Sequence, residues 1–234
     1  MNVKRLSVFF PAYNEEGNIP ETVNKAVEVL DSLNLDDWEI LVVDDGSSDK
    51  TLEISQGLSS KNPKIRVHHQ VNGGYGAALR AGFYNTRFEW VVYTDGDGQF
   101  DFSEITRFLD KTSEAKLILG YRVKRKDPFY RIIFQKGWAL SLFIFFGLRL
   151  KDVDCGFKLV SREVLSKIPK LESTRGGMIN AELAIKTSKF GFNVSQVGVT
   201  HYPRKSGKPT GANIGVIIES YLDLLRLWWK LGSF

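Results

Sequence analysis

The chain is predicted to fold as an α/β domain with a mostly parallel central sheet flanked by helices. Three observations predict it. Short apolar runs alternate with helix-length amphipathic segments through the first half of the chain. The first four of those runs each end in a polar, mostly glycine-bearing cluster. At 234 residues, with 43% hydrophobic and 25% charged residues, the chain can build one substantial core and has a globular balance.

The elements follow in order. Residues 6–10 read as a strand, 19–33 as a helix, 38–43 as a second strand and 49–58 as a helix with Asp49 as N-cap or in the first turn. Residues 65–69 are a short inner strand ending in His68 and His69, 76–85 a helix, 90–93 a fourth strand, 103–111 a helix and 117–119 a fifth strand. Strands alternating with helices imply parallel pairing with helices on both faces. The second half is less regular. Basic residues crowd Arg122, Lys124, Arg125, Lys126, Arg131 and Lys136, and an apolar, aromatic-rich helix continues to about Leu148. A turn at 152–157 enters a short strand, Ser161 is placed as a helix N-cap, 180–190 is a helix and 194–199 a strand. A Gly- and Lys-rich loop at 203–211 precedes a final helix over 213–230. There Glu219, Asp223, Arg226 and Lys230 share one face, while Ile217, Tyr221, Leu224, Leu225 and Trp228 lie away from it. The expected division is a catalytic domain over 1–211 and a C-terminal amphipathic helix over 212–234.

Composition narrows the function. A net charge of +5 favours an anionic partner such as a nucleotide, a lipid phosphate or a membrane surface. A nucleic-acid-binding module is excluded, because the basic residues cluster beside carboxylates and no stacking-aromatic motif is present. One cysteine, Cys155, rules out an internal disulfide framework and agrees with a reducing compartment. The first residues run straight into a strand with no signal-peptide core, and no apolar stretch reaches the ~18 to 20 residues of a spanning helix.

In parallel sheets ligands bind beyond the carboxyl ends of the strands, and the polar clusters fall there. Pro11-Ala12-Tyr13-Asn14-Glu15-Glu16, Asp44-Asp45-Gly46-Ser47-Ser48-Asp49, Asn72-Gly73-Gly74-Tyr75-Gly76 and Asp95-Gly96-Asp97-Gly98-Gln99 follow four consecutive strands. In the last, two carboxylates sit one residue apart on a turn that Gly96 and Gly98 permit to bend sharply. Taken alone that is also an ordinary polar turn. In register with the other clusters it suits Mg²⁺ or Mn²⁺, held by Asp97 with Asp95 toward ribose or diphosphate and Gln99 as a further oxygen ligand. Asp45 can accept hydrogen bonds from a base or ribose, Asp44 can fix the loop, and Tyr13 and the backbone after Pro11 can flank a planar base with Glu15 nearby. The Gly73–Gly76 segment lacks the spacing and position of a dinucleotide loop. His201 is a candidate for the same site, although a lone histidine is more often structural. Arg122 closes a strand end beside the site. The basic cluster and the apolar helix suit an interfacial anchor or a buried core helix, and Trp228-Trp229-Lys230 suits a membrane interface or packing on the sheet.

The motifs P-A-Y-N-E-E at 11–16, V-V-D-D-G-S at 42–47, G-Y-G-A-A-L-R-A-G at 74–82, D-G-D-G-Q at 95–99 and D-x-D-C-G-F-K-L at 152–159 resemble family 2 glycosyltransferases. Within them they resemble the dolichol-phosphate mannose synthase and polyprenyl-phosphate glycosyltransferase group. The resemblance implies a GT-A fold with a Rossmann-like sheet and a metal-dependent hexosyltransferase. Its donor would be GDP-mannose or a UDP-sugar, and its acceptor a polyprenyl or dolichyl phosphate. It implies that Pro11, Tyr13, Glu15, Val43, Asp45, Asp95 and Gly96 hold the nucleotide sugar, and that Asp95, Asp97 and Gln99 hold metal and diphosphate. Arg122 and Arg131 would meet donor or acceptor phosphate, and Arg204 and Lys208 would close over the donor, with Thr210 where a lysine is usual. It implies single displacement with inversion. A lipid phosphate acceptor is already ionised, and Asp154 and Glu182 are candidate bases if the acceptor is an alcohol; Asp154 equally suits orienting Arg131 or capping its turn. The chain would sit peripherally on the cytoplasmic face of a membrane or work with a membrane partner subunit. The alternative is transfer to a saccharide or cell-wall polymer.

Overall fold

The computed structural model describes residues 3–123, 129–174, 176–204 and 214–232, with side chains described for all of these except 129–134, 176 and 214–218. Strand–helix alternation runs as predicted through β1 (Arg5–Ala12), α1 (Ile19–Ser32), β2 (Asp37–Asp44), α2 (Thr51–Lys61), β3 (Ile65–His69), α3 (Tyr75–Asn85) and β4 (Trp90–Thr94). A 3₁₀ turn (Phe102–Glu104) leads into α4 (Ile105–Leu109), then β5 (Leu117–Arg122), α5 (Phe129–Phe146), β6 (Phe157–Ser161), α6 (Arg162–Lys167), α7 (Gly176–Lys189), β7 (Val194–Val199) and α8 (Ile214–Gly232).

The seven strands form one sheet in the order β3-β2-β1-β4-β6-β5-β7. Every neighbouring pair is parallel except those of β6, which runs against both β4 and β5. From β1 the chain winds outward through β2 to β3, then returns to place β4 on the other side of β1. The crevice between β1 and β4 is therefore the topological switch point, where an open α/β sheet binds ligands.

Alternation along the strands explains why both sheet faces are apolar. Phe9, Leu41, Val43, Val91 and Tyr93 face one cluster, with α3, α7 and part of α8 over them. Val8, Phe10, Ile40, Val42 and Val92 face the other, under α1 and α4.

Four expectations are corrected. Pro11 and Ala12 are the last residues of β1 rather than loop, because both pair with β2 at Val43 and Asp44. β3 is an edge strand, not an inner one. Asp49 precedes the N-cap of α2, which is Lys50, and bonds Thr51 N at 2.9 Å from one position further out. The buried face of α8 is rotated from the one its charge pattern suggested. Leu224, Leu227 and Leu231 are buried, whereas Leu225 and Trp228 are exposed. Packing on α7 and α5, with Trp138 edge-on to Tyr221, decides the rotation. Ser161 does cap α6, accepting from Val164 N at 3.3 Å. No helix among the described residues is long and apolar enough to cross a membrane.

Candidate active site

Parallel pairing brings the polar loops after β1, β2, β3 and β4 to one edge. The loops after β1 and β2 are tied together there. Asn14, in the left-handed region at φ 56°, accepts from Ser48 N at 2.8 Å through its side chain, and its own N–H donates to Ser47 Oγ at 2.9 Å. Glu15 N donates to Thr51 Oγ1 at 2.8 Å, and Glu16 N to Asp49 Oδ2 at 3.1 Å. The binding leaves Tyr13 exposed at the rim and turns Glu15 inward, where Asn18 Nδ2 donates to it at 2.6 Å.

Asp45 is buried at the end of β2, and its Oδ1 accepts from Gln70 Nε2 at 2.6 Å and Gly73 N at 2.9 Å. Its neighbour Asp44, the last residue of β2, pairs instead with His69 Nδ1 at the end of β3 at 2.7 Å, a strand-to-strand contact rather than the loop contact expected of it. Val43 is wholly buried in the core, so its side chain has no access to a ligand. Pro11 and Gly96 meet across the switch point, with the Pro11 carbonyl 2.9 Å from where a Cβ on Gly96 would lie.

Asp95 and Asp97 stand at the end of β4. Asp95 Oδ1 accepts from the Tyr75 hydroxyl at 2.6 Å. Its other oxygen lies flat against Gly156, where any Cβ would overlap it, so only glycine fits there. Burial and then the charge of Asp97 push the Asp95 carboxyl up to about 7. Burial also raises Asp97, against the pull of the Gln99 N–H at 3.1 Å and of Arg204. Arg204 pairs with Glu15 and lies 3.8 Å from Asp97 Oδ2. The placement of Arg204 is tertiary. The segment after β7 pairs antiparallel with the loop after β4 through a Phe100–His201 bridge, and Tyr202 N donates to Gln99 O at 2.8 Å.

This donor set fits a hard divalent cation. One part-buried and one buried carboxylate, Asp95 and Asp97, both of raised proton affinity, lie at a switch point, which is the sparse set that such ions complete with phosphate oxygens and water. No group of three or more His, Cys, Asp or Glu side chains suited to a metal occurs among the described residues.

The other expected residues are placed as follows. Gln99 donates through Nε2 to Tyr202 O at 2.9 Å. His201 packs edge-on against Phe100 with ring centroids 5.1 Å apart. Arg122 forms a two-point pair with Asp152, at 2.7 and 2.9 Å, while its charge lowers the proton affinity of Asp95. Asp154 lies by the first turn of α7, with Oδ1 3.3 Å from a Cβ position on Gly177. Glu182 is buried in a pair with Lys186 at 2.5 Å and accepts from Glu172 N and Ser173 N. Burial acts to raise it, and Lys186 with those donors pulls it below its ordinary value. The Arg131 side chain and Lys208, with Lys124, Arg125 and Lys126, lie outside the described residues.

Three residues close to the site had no assigned role in the sequence. Tyr75 was visible only as part of a glycine-rich turn. Lys158 is wholly buried beneath the site, with Nζ donating to the Tyr93 hydroxyl at 3.0 Å and to the Cys155 carbonyl, and burial lowers its proton affinity. Asn180 accepts from the Tyr93 hydroxyl.

The mostly parallel seven-stranded sheet with flanking helices is a GT-A, Rossmann-like fold. The family model described as "Glycosyl transferase family 2" matches residues 7–168, and the chain belongs to that family. A dolichyl-phosphate beta-glucosyltransferase of Trichomonas vaginalis is 32% identical over 95% of this chain and 72% of its own length. A polyprenol monophosphomannose synthase of Mycolicibacterium smegmatis is 30% identical over 90% of this chain and 83% of its own. Among solved structures, the glucosyl-3-phosphoglycerate synthase of Mycobacterium tuberculosis, bound to Mn²⁺, uridine diphosphate and glucosyl-3-phosphoglycerate, superposes with a TM-score of 0.72. It is 22% identical, over 95% of this chain and 79% of that one.

Proposed function

We propose that this chain is an inverting, metal-dependent hexosyltransferase. It would move a sugar from a nucleotide-diphosphate donor to a polyprenyl or dolichyl phosphate. The observation that carries the reading is the cluster at the switch point. Asp45 would meet the nucleoside, Asp95 and Asp97 the diphosphate end, and Arg204 already pairs with Glu15 and approaches Asp97. The names of the two relatives, one acting on dolichyl phosphate and one making a polyprenol monophosphomannose, support the acceptor class.

Asp95, Asp97 and Gln99 would hold Mg²⁺ or Mn²⁺, which supplies charge stabilisation to the departing diphosphate. The chain's own work is positional. Tyr13, Glu15, Asp45 and the backbone at Pro11 and Gly96 would orient the nucleotide, and Arg204 with Lys208 would cover it. A lipid phosphate oxygen, ionised at neutral pH, forms the new bond to the anomeric carbon as the bond to the donor diphosphate breaks. No proton is removed, so Arg122 and Arg131 serve by cationic contact and Asp154 by orienting what lies beside it. An exposed apolar patch supports a peripheral seat on a membrane. Phe143 and Ile144 of α5 and Leu225, Trp228 and Trp229 of α8 are exposed, and the two helices touch where Phe145 meets Trp228 at 5.5 Å. We place it on the cytoplasmic face, alone or with a membrane partner subunit.

The test is incubation of the pure protein with Mn²⁺, a panel of labelled UDP- and GDP-sugars and a short polyprenyl phosphate. Label extracted into the lipid phase supports the reading. Label found only on an added saccharide acceptor overturns the lipid assignment.

A further inference from the structure

The Gly73–Gly76 turn, where the loop after β3 enters α3, touches two carboxylates of the site. Gly73 N–H donates to Asp45 Oδ1 at 2.9 Å, and the Tyr75 hydroxyl donates to Asp95 Oδ1 at 2.6 Å. Asp45 directly follows β2 and Asp95 directly follows β4, and these strands are not neighbours, because β1 lies between them. The turn leaves β3, on the far side of β2, and reaches across to both carboxylates.

The turn is itself anchored. Gly76 N–H donates to the Thr174 carbonyl at 2.9 Å, and a Cβ at 76 would overlap the Thr174 backbone. Only glycine allows that approach. The residues before Thr174 are held in turn by the buried Glu182–Lys186 pair. Burial, then the charge of Asp95, keeps the Tyr75 phenol protonated and therefore a donor. Asp95 is thus fixed on two sides before any ligand arrives, by Tyr75 on Oδ1 and by Gly156 under Oδ2.

We propose that Tyr75 is a positioning residue whose hydroxyl sets the orientation of the Asp95 carboxylate. Through it the Gly73–Gly76 turn holds Asp95 at a fixed spacing from Asp45, so that the nucleoside and diphosphate ends of a donor meet a preformed site. The inference rests on the reading of Asp45 and Asp95 as donor-site residues.

Tyr75→Phe in the full chain removes one oxygen and keeps the ring. Two affinities are measured, each with UDP and with GDP: nucleotide binding without metal by calorimetry, and Mn²⁺ binding to the nucleotide complex by the free-ion electron paramagnetic resonance signal. The expected result is a loss of Mn²⁺ affinity of about tenfold, the order of one hydrogen bond to a charged group, with metal-free nucleotide affinity within about twofold. In an Asp95→Asn background the same substitution should change Mn²⁺ affinity no further. Wild-type protein that binds no Mn²⁺ with either nucleotide overturns the metal reading and this inference together. Wild-type binding that Tyr75→Phe leaves within twofold, an equal loss of metal-free nucleotide affinity, or a loss that persists in full without Asp95 overturns this inference alone.

Discussion

A divalent cation at Asp95 must compete with a proton. The carboxyl is pushed up to about 7, first by burial and then by Asp97. Between pH 8 and pH 5.5 its ionised fraction falls from about nine-tenths to about 3%, so apparent Mn²⁺ affinity should drop about 30-fold, or about 2 kcal/mol. Stability moves in the opposite sense. Asp95 titrates above its ordinary 3.8, so the metal-free protein carries the full stabilisation of the bound proton below that value and loses it as pH rises through about 7. That loss has an upper bound of about 4 kcal/mol, reduced because the carboxylate is only partly enclosed. Mn²⁺ should accordingly raise the melting temperature more at pH 8 than at pH 5.5. The assay is a Mn²⁺ titration at several pH values with a nucleotide sugar, whose diphosphate diester does not titrate in this range. A change below about threefold, or tighter binding at pH 5.5, refutes the reasoning. Asp95→Asn should flatten the profile.

Three further outcomes are expected. Asp97→Ala should abolish transfer and nucleotide-dependent Mn²⁺ binding with little loss of melting temperature, since burial already disfavours that charge; near-normal turnover in metal-free buffer would remove Asp97 from the metal site. Lys186→Met leaves Glu182 buried without its ion pair and should cost about 3 to 5 kcal/mol in urea unfolding; a loss under about 1 kcal/mol would show that the pair carries little of the fold. Trp228→Ser with Trp229→Ser should weaken sedimentation with anionic liposomes most clearly in high salt, where basic contacts are screened and aromatic insertion is not; wild-type protein left in the supernatant at low salt would assign the membrane contact to a partner.

The boundary of the fourth polar cluster shows what periodicity could and could not reveal. The run at 90–93 announced a strand, and the carboxylates behind it announced a ligand edge, because a parallel sheet delivers successive strand ends to one side. That logic needs only the order of apolar and polar residues, so Asp45, Asp95 and Asp97 were legible as neighbours from a single sequence. The same is true of the Ser161 cap, whose hydrogen bond spans three residues.

Contacts between distant segments were not legible. Arg204 reaches Glu15 across nearly the whole chain because the residues after β7 pair with the loop after β4, and nothing local at 201–204 encodes that bridge. Glu182 was a candidate base for an alcohol acceptor, and its pairing with Lys186 was not legible, because a carboxylate on a helix reads the same whether it faces a substrate or a buried lysine. The rotation of α8 depended on which leucines α7 and α5 could receive, which its charge stripe does not record. The antiparallel β6, inserted between β4 and β5, brings Gly156 beneath Asp95 and Lys158 beside Tyr93. Local order thus determined the elements and the edge where the carboxylates gather, through short-range propensity and the period of burial. Tertiary packing alone decided how those carboxylates are oriented and charged, because their hydrogen-bond partners and desolvation come from segments far apart in the chain.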